Sequence, residues 1–339
     1  MLYFLAVLVS ALSIASLIDG SAATGGRIRK TAHRYRQVAR QESGQDQGKT
    51  WKQVDKFQGD SFLDGWDFFD HDDPTHGLVN YQNAEAAKSK GLALVKDGQV
   101  ILSVDDTTVL QTGQKRDSVR ISTKKTYNHG LFIADFAAMP VGCSVWPAYW
   151  SVGPNWPEGG EIDVLEGVHN QDTNQYTLHT GAGCLIDSSV KTTAKVLGTK
   201  CASSGADNTG CAFKDTDNRS YGKGFNAAGG GVYAHIWDST GIKMWHFARD
   251  EIPKDVTEGK PNPSTWPTPA ATFSTSSCDV RKYFHDHVLT IDTTLCGDWA
   301  GATYQSAGCP GTCEEAVANP KNFVEAKWKI SYIAVYESA

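Results

Sequence analysis

Three carboxylates fall within six residues at Glu161-Ile162-Asp163-Val164-Leu165-Glu166. Side chains alternate faces along a strand, so Glu161 and Asp163 share one face while Ile162 and Val164 point to the other. Strict alternation would turn Glu166 towards the core. A one-residue bulge near Val164-Leu165 resets the phase and returns Glu166 to the face of Glu161. Like charges at this spacing raise one another's pKa values, so one acid holds a proton near neutral pH. An ionised carboxylate beside a protonated one is what glycoside hydrolysis requires, one to attack the sugar and one to protonate the leaving oxygen. Along a strand, the two Glu backbones stand about 13 Å apart. Side chains leaning inwards bring the carboxyls to about 5–6 Å, a separation that suits retention better than inversion. On spacing alone, an amphipathic strand with a solvated acidic face reads equally well.

The acids need a rigid strand, and the chain from Trp51 onwards reads as short strands separated by turns. Leu92–Val95, Val100–Val104, Val119–Ser122, Leu131–Phe136 and Thr177–His179 are strand-like. Gly231–Trp237, Ile242–Phe247, His287–Ile291 and Trp328–Tyr336 continue the pattern, with Asp97-Gly98 and Thr240-Gly241 at hairpin turns. Helical periodicity is confined to one turn near Cys313–Ala318. The 33 glycines and 10 tryptophans suit a turn-rich, all-β protein that handles sugars. About 290 residues form a single domain of two packed antiparallel sheets. A net charge of −6 argues against nucleic acid as a partner.

Ahead of this domain, residues 2–18 are an uncharged apolar run followed by Ser21-Ala22-Ala23, which reads as a secretory signal peptide over 1–23. An uncleaved anchor is the alternative, because no Lys or Arg precedes the run and a basic segment follows it. That alternative is the only route to a membrane. Residues 24–50 carry Arg27, Arg29, Lys30, Arg34, Arg36 and Arg40 before a Gln/Gly/Ser-rich tail, and read as a disordered linker or propeptide. All eight cysteines lie beyond it, an even number that implies up to four disulfides, with Cys309 and Cys313 stapling a loop near the C-terminus. Asn218-Arg219-Ser220 is a glycosylation sequon. His285-Asp286-His287 and His71-Asp72-Asp73 read as turn or strand residues rather than metal ligands. No G-x-S-x-G elbow, H-E-x-x-H helix or phosphate-binding glycine loop occurs.

Glu161-Ile-Asp163-Val-Leu-Glu166 resembles the E-x-D-x-x-E signature of glycoside hydrolase family 16 in its bulged, laminarinase-type form. Trp146-Pro-Ala-Tyr-Trp150 and Asn155-Trp156-Pro lead into it, Thr177-Leu-His179-Thr follows, and Cys296-Gly-Asp-Trp299-Ala-Gly lies downstream. In that order they resemble the fungal endo-1,3(4)-β-glucanases, over residues 51–339. The resemblance implies a curved jelly-roll sandwich with its substrate cleft on the concave face. It implies Glu161 as nucleophile, Glu166 as general acid/base and Asp163 as the carboxyl between them. Trp150, Trp156 and Trp299 become sugar platforms, and Arg120 and His179 polar cleft residues. His179 is strengthened by alternation opposite the apolar Leu178. Trp146 is the weakest of the aromatic set, since its proline neighbour suggests a structural corner. The expected molecule is a secreted or wall-associated monomer acting on β-glucan. No cofactor is expected, beyond a structural calcium that family members sometimes carry and whose ligands nothing here locates. A β-glucan transglycosylase and a non-catalytic glucan-recognition protein are the rivals. The extra Leu165 counts against the first, and retention of both Glu residues against the second.

Overall fold

The computed structural model describes residues 49–339 apart from Ala206. The expected leader and all but the last two residues of the basic segment lie outside the described residues. Lys49 and Thr50 are already held: Lys49 Nζ meets Asp238 Oδ2 at 2.7 Å, and the Thr50 carbonyl accepts from the amide of Ala339 at 2.9 Å.

Two eight-stranded sheets carry the fold. One runs Lys195–Gly198, Cys211–Lys214, Gln175–His179, Glu161–Glu166, Val145–Val152, Val288–Leu295, Arg120–Thr123, Trp66–Phe68. The other runs Ala271–Ser274, Gly241–Ala248, Gly231–Asp238, Gly130–Ala138, Lys327–Ser338, Gln99–Ser103, Ala93–Lys96, with Trp51–Gln58 also paired to Lys327–Ser338. All these pairings are antiparallel; a separate small pair, Val79–Tyr81 with Arg116–Ser118, is parallel. Every strand expected from alternation is present within a few residues of its expected ends. Asp97 and Gly98 both take positive φ, at 53° and 75°, as a tight hairpin requires. Ser239 and Thr240 close the second hairpin, between the paired Asp238 and Gly241.

Alternation explains the layering. Ile162, Val164, Leu165, Tyr149, Ile121 and Ile291 of the first sheet meet Phe132, Phe136, Tyr233, Trp328 and Ile333 of the second in the main core. The opposite side chains of the second sheet, including Leu131, Ile133, Val232 and Phe247, are buried too. Ile252, Val256 and Trp266 cover them in a separate cluster. That double burial makes Gly130–Ala134 an apolar stretch, closed by Asp135, which is buried against the Arg249 guanidinium, whereas the first sheet keeps a polar face for the acids.

Val145–Val152 was not legible as a strand, because Pro147 in a sheet interior argues against one. It sits centrally, between Glu161–Glu166 and Val288–Leu295. Proline is tolerated there because the Glu161–Glu166 strand ends opposite Ala148, leaving Pro147 past its neighbour's last paired residue.

Candidate active site

The bulge falls where alternation requires one to return Glu166 to the face of Glu161. The register of Glu161–Glu166 slips between Asp163 and Leu165 against one neighbour, and between Asp163 and Glu166 against the other. Val164 and Leu165 therefore both enter the core, each at most 1% exposed, and Glu166 returns to the face of Glu161. Asn174 secures the irregularity. Its Nδ2 donates to the Val164 carbonyl at 2.8 Å, and its Oδ1 accepts from the Glu166 amide at 2.9 Å. One side chain thus replaces two ladder bonds that the bulge breaks.

Residues paired directly across a ladder share a face, so the register builds the site in rows. His179, Glu161 and Val152 make the first row; Thr177, Asp163, Trp150, Thr290 and Ser122 the second; Gln175, Glu166, Ala148, Asp292 and Arg120 the third. The small Ala148 leaves room between Glu166 and Asp292. Asp292 is a fourth acid that sequence reasoning missed, since in Thr-Ile-Asp-Thr-Thr it looks like an ordinary polar strand residue. It accepts from Trp150 Nε1 and the Tyr81 hydroxyl, both at 3.2 Å.

Trp146 corrects an expectation. It is no structural corner: its indole Nε1 donates to Glu166 Oε1 at 2.9 Å, and its ring meets that of Trp299 edge-on at 5.6 Å. Alternation along Trp146-Pro-Ala-Tyr-Trp150 could have revealed it, since Trp146 and Trp150 stand four residues apart and share a face. The other candidates divide by setting. Arg120 is wedged between the rings of Phe69 and Trp150, its guanidinium carbon 4.6 and 4.9 Å from their centroids. His179 is buried, with Nε2 3.4 Å from Asp163 Oδ2 and 3.8 Å from Glu161 Oε1. Trp156, 40% exposed, sits beside the His179 ring at 6.3 Å and is the most open of the aromatics. The backbone carrying it is tightly folded, since a Cβ on Gly153 or Gly159 would strike main-chain atoms of the same loop. His287 points inwards, bonded to Ser151 Oγ and the Gly159 carbonyl, each at 2.9 Å. His71 is exposed beside Asp70. The sequon Asn218 lies exposed in a turn.

Burial and mutual repulsion dominate the electrostatics. Burial, then the charge of Asp163, pushes Glu161 well above the ordinary carboxylate range, while His179 and the Trp156 indole pull it back. Asp163 is driven well up by burial and by Glu166. Glu166 is raised by burial and by Asp292, with His179 and the Trp146 donor opposing. Asp292 is pushed up to about 6 by burial, against the nearby positive charge of Arg120. Four carboxyls on one face oppose one another's ionisation and titrate as a group. The arrangement can offer one charged and one protonated carboxyl to the same bond, flanked by flat rings.

The model of the XgeA-like catalytic domain of glycoside hydrolase family 16 matches residues 66–336. The chain belongs to glycoside hydrolase family 16. Its similarity to a probable glycosidase of Schizosaccharomyces pombe is 41% identity over 308 residues, covering 89% of this chain and 73% of that one. The solved structure of family 16 laminarinase 16A from Phanerochaete chrysosporium, holding β-glucans in donor and acceptor sites, is 39% identical. It superposes with a TM-score of 0.82 over 85% of this chain and 100% of that one. An elongating family 16 β-1,3-glucosyltransferase is 41% identical, with a TM-score of 0.81 over 85% of this chain and all of that one. The chain spans about half the length of the curated Aspergillus relatives it matches, each named a probable endo-1,3(4)-β-glucanase. The fold is the family's curved jelly-roll sandwich, and the disulfides expected in such a chain are formed. Cys143–Cys309, Cys184–Cys278, Cys201–Cys211 and Cys296–Cys313 use all eight cysteines. Cys309 and Cys313 do not close a loop with one another: Cys309 joins the distant Cys143 and Cys313 joins Cys296, 17 residues before it.

Proposed function

We propose that this family 16 chain is a secreted, retaining endo-β-glucanase that hydrolyses 1,3- or mixed 1,3/1,4-linked glucans by double displacement. The observation that carries this reading is the bulge that brings Glu166 onto the face of Glu161, with Asp163 between them and Trp146 bonded to Glu166. Glu161 attacks the anomeric carbon; the glycosidic C–O bond breaks as Glu166 gives its proton to the departing oxygen. Water then enters, Glu166 takes its proton, and the glycosyl–Glu161 ester is cleaved. The Trp146 N–H fixes the Glu166 carboxyl and steadies its ionised form between the two halves of the cycle. Asp163 holds charge next to Glu161, so its loss is expected to harm turnover less than loss of either Glu. Trp150, Trp156 and Trp299 offer flat faces to sugar rings, with Arg120 and His179 as polar contacts. The leader directs secretion, Asn218 carries glycan, the chain acts as a monomer without a cofactor, and β-glucan is its partner.

Transglycosylation is the one rival with a specific observation behind it, the likeness to an elongating glucosyltransferase. It shares the first half-reaction and differs in what intercepts the glycosyl–enzyme. Mass spectrometry of products from the full chain with a defined 1,3-β-gluco-oligosaccharide separates the two. Products shorter than the substrate are expected; products longer than it would make the chain a transferase, and unchanged but bound substrate a recognition protein.

A further inference from the structure

Glu161, Asp163 and His179 each turn one donor atom into a common space, all within 4.8 Å of one another. Two carboxylate oxygens and an imidazole nitrogen form a donor set for borderline divalent metals. Tetrahedral coordination with bonds of about 2.0–2.1 Å sets donors roughly 3.3 Å apart. The observed edges from His179 Nε2, 3.4 Å to Asp163 Oδ2 and 3.8 Å to Glu161 Oε1, are close to that already. The second ring nitrogen of His179 is fixed by Ser203 Oγ at 2.8 Å, the outer contact that aims a ligating imidazole.

A separate observation points to an occupant. Asp163 is 2% exposed, yet its Oδ2 has no hydrogen-bond partner, although His179 Nε2 lies 3.4 Å away. A shared proton would have to lie near the line joining the two atoms, and that bond is not made. A metal bridging the same pair lies off the line, at the apex between them. It would also neutralise the repulsion between two buried carboxylates.

We propose that Glu161, Asp163 and His179 form a binding site for a zinc-class divalent cation, and that its occupancy excludes glucan and stops turnover. Zn²⁺ or Cu²⁺ suits it better than Ca²⁺ or Mg²⁺, which ask for six or more oxygen donors or an ordered water shell. Cation binding rests on the geometry alone, while the arrest of turnover rests on the proposed role of Glu161 as nucleophile.

The test is calorimetric titration of Zn²⁺ into the metal-stripped full chain, with and without a 1,3-β-gluco-oligosaccharide. One site per chain is expected, displaced by the oligosaccharide, abolished in His179→Asn and weakened about 10-fold in Ser203→Ala. Thermal melts check that each variant is folded, and Asp163→Asn serves as a second ligand variant should His179→Asn not fold. Undiminished Zn²⁺ affinity in the folded ligand variant, or no binding by the unmodified chain, overturns the site. Zn²⁺ bound through His179 while hydrolysis continues would uphold the site and contradict the assignment of Glu161.

Discussion

At the scale of single residues, two neighbours of Glu166 pull its proton affinity in opposite directions. Trp146 donates a hydrogen bond that favours the ionised carboxylate, whereas the charge of Asp292 favours the protonated acid. Trp146→Phe therefore raises the Glu166 pKa further and moves the alkaline limb of the kcat profile to higher pH. Its kcat falls about 10-fold, equivalent to about 1.4 kcal/mol of lost transition-state stabilisation. Asp292→Asn moves the same limb to lower pH. Stopped assays across pH on both variants check the opposed signs. Glu161, Asp163 and Glu166 were legible because strand alternation plus one bulge is a local rule. Asp292 was not, because its place in the site follows from pairing with Ala148 and Arg120, which are distant in sequence. Trp146 was misread through Pro147, whose effect depends on where the neighbouring strand stops.

At the scale of elements, the bulged strand carries three of the acids and Asn174 is its clamp. Removing the clamp in Asn174→Ala strands the Val164 carbonyl and the Glu166 amide. Each buried group left without a partner costs about 1–3 kcal/mol. A fall in Tm together with a loss of kcat greater than any rise in KM is the expected outcome, measured by thermal melts and steady-state kinetics. Nothing at Asn174 signals this in the sequence: an asparagine in a polar turn reads as turn chemistry, and its two backbone contacts exist only once the register has slipped. Strands with one polar and one apolar face were readable. Double-sided burial also left Gly130–Ala138 recognisable, as a run that is apolar apart from Asp135. Lys195–Gly198, largely exposed at the sheet edge, carries no alternation and could not be read.

Across the whole molecule, long-range staples hold the site's outer wall. Cys143–Cys309 spans 166 residues and Cys296–Cys313 spans 17, and between them lies the segment bearing Trp299. His169, just past the acids, bonds through Nε2 to Thr303 Oγ1 at 3.1 Å and ties the same segment inwards. Cys143→Ser with Cys309→Ser is expected to destabilise the fold by about 2–5 kcal/mol. KM for gluco-oligosaccharide should rise through the loosened Trp299, read by melts and kinetics. Eight cysteines announced the staples, but their pairing is a property of the folded chain.

The acid face also sets the pH response of the entire fold. A carboxyl whose pKa is higher folded than unfolded holds an extra proton in the native state between the two values. Its contribution is therefore most favourable at low pH and declines as pH rises through the folded value. Burial raises all four site acids, and for Asp292 the window runs from 3.8 to about 6. Glu161→Gln removes one such charge. It should raise Tm at pH 7 by about 1–2 °C, the shift that roughly 1 kcal/mol gives a domain of about 290 residues, and leave it nearly unchanged at pH 4. Melts at the two pH values decide.

The central claim is that Glu161 forms a covalent bond to the sugar. The most direct measurement is peptide mass spectrometry of the chain after reaction with a 2-deoxy-2-fluoro β-gluco-oligosaccharide carrying a good leaving group. One glycosyl adduct is predicted, on the peptide containing Glu161 and at that side chain. An adduct on Glu166, or complete turnover with no adduct at any carboxyl, would contradict the mechanism.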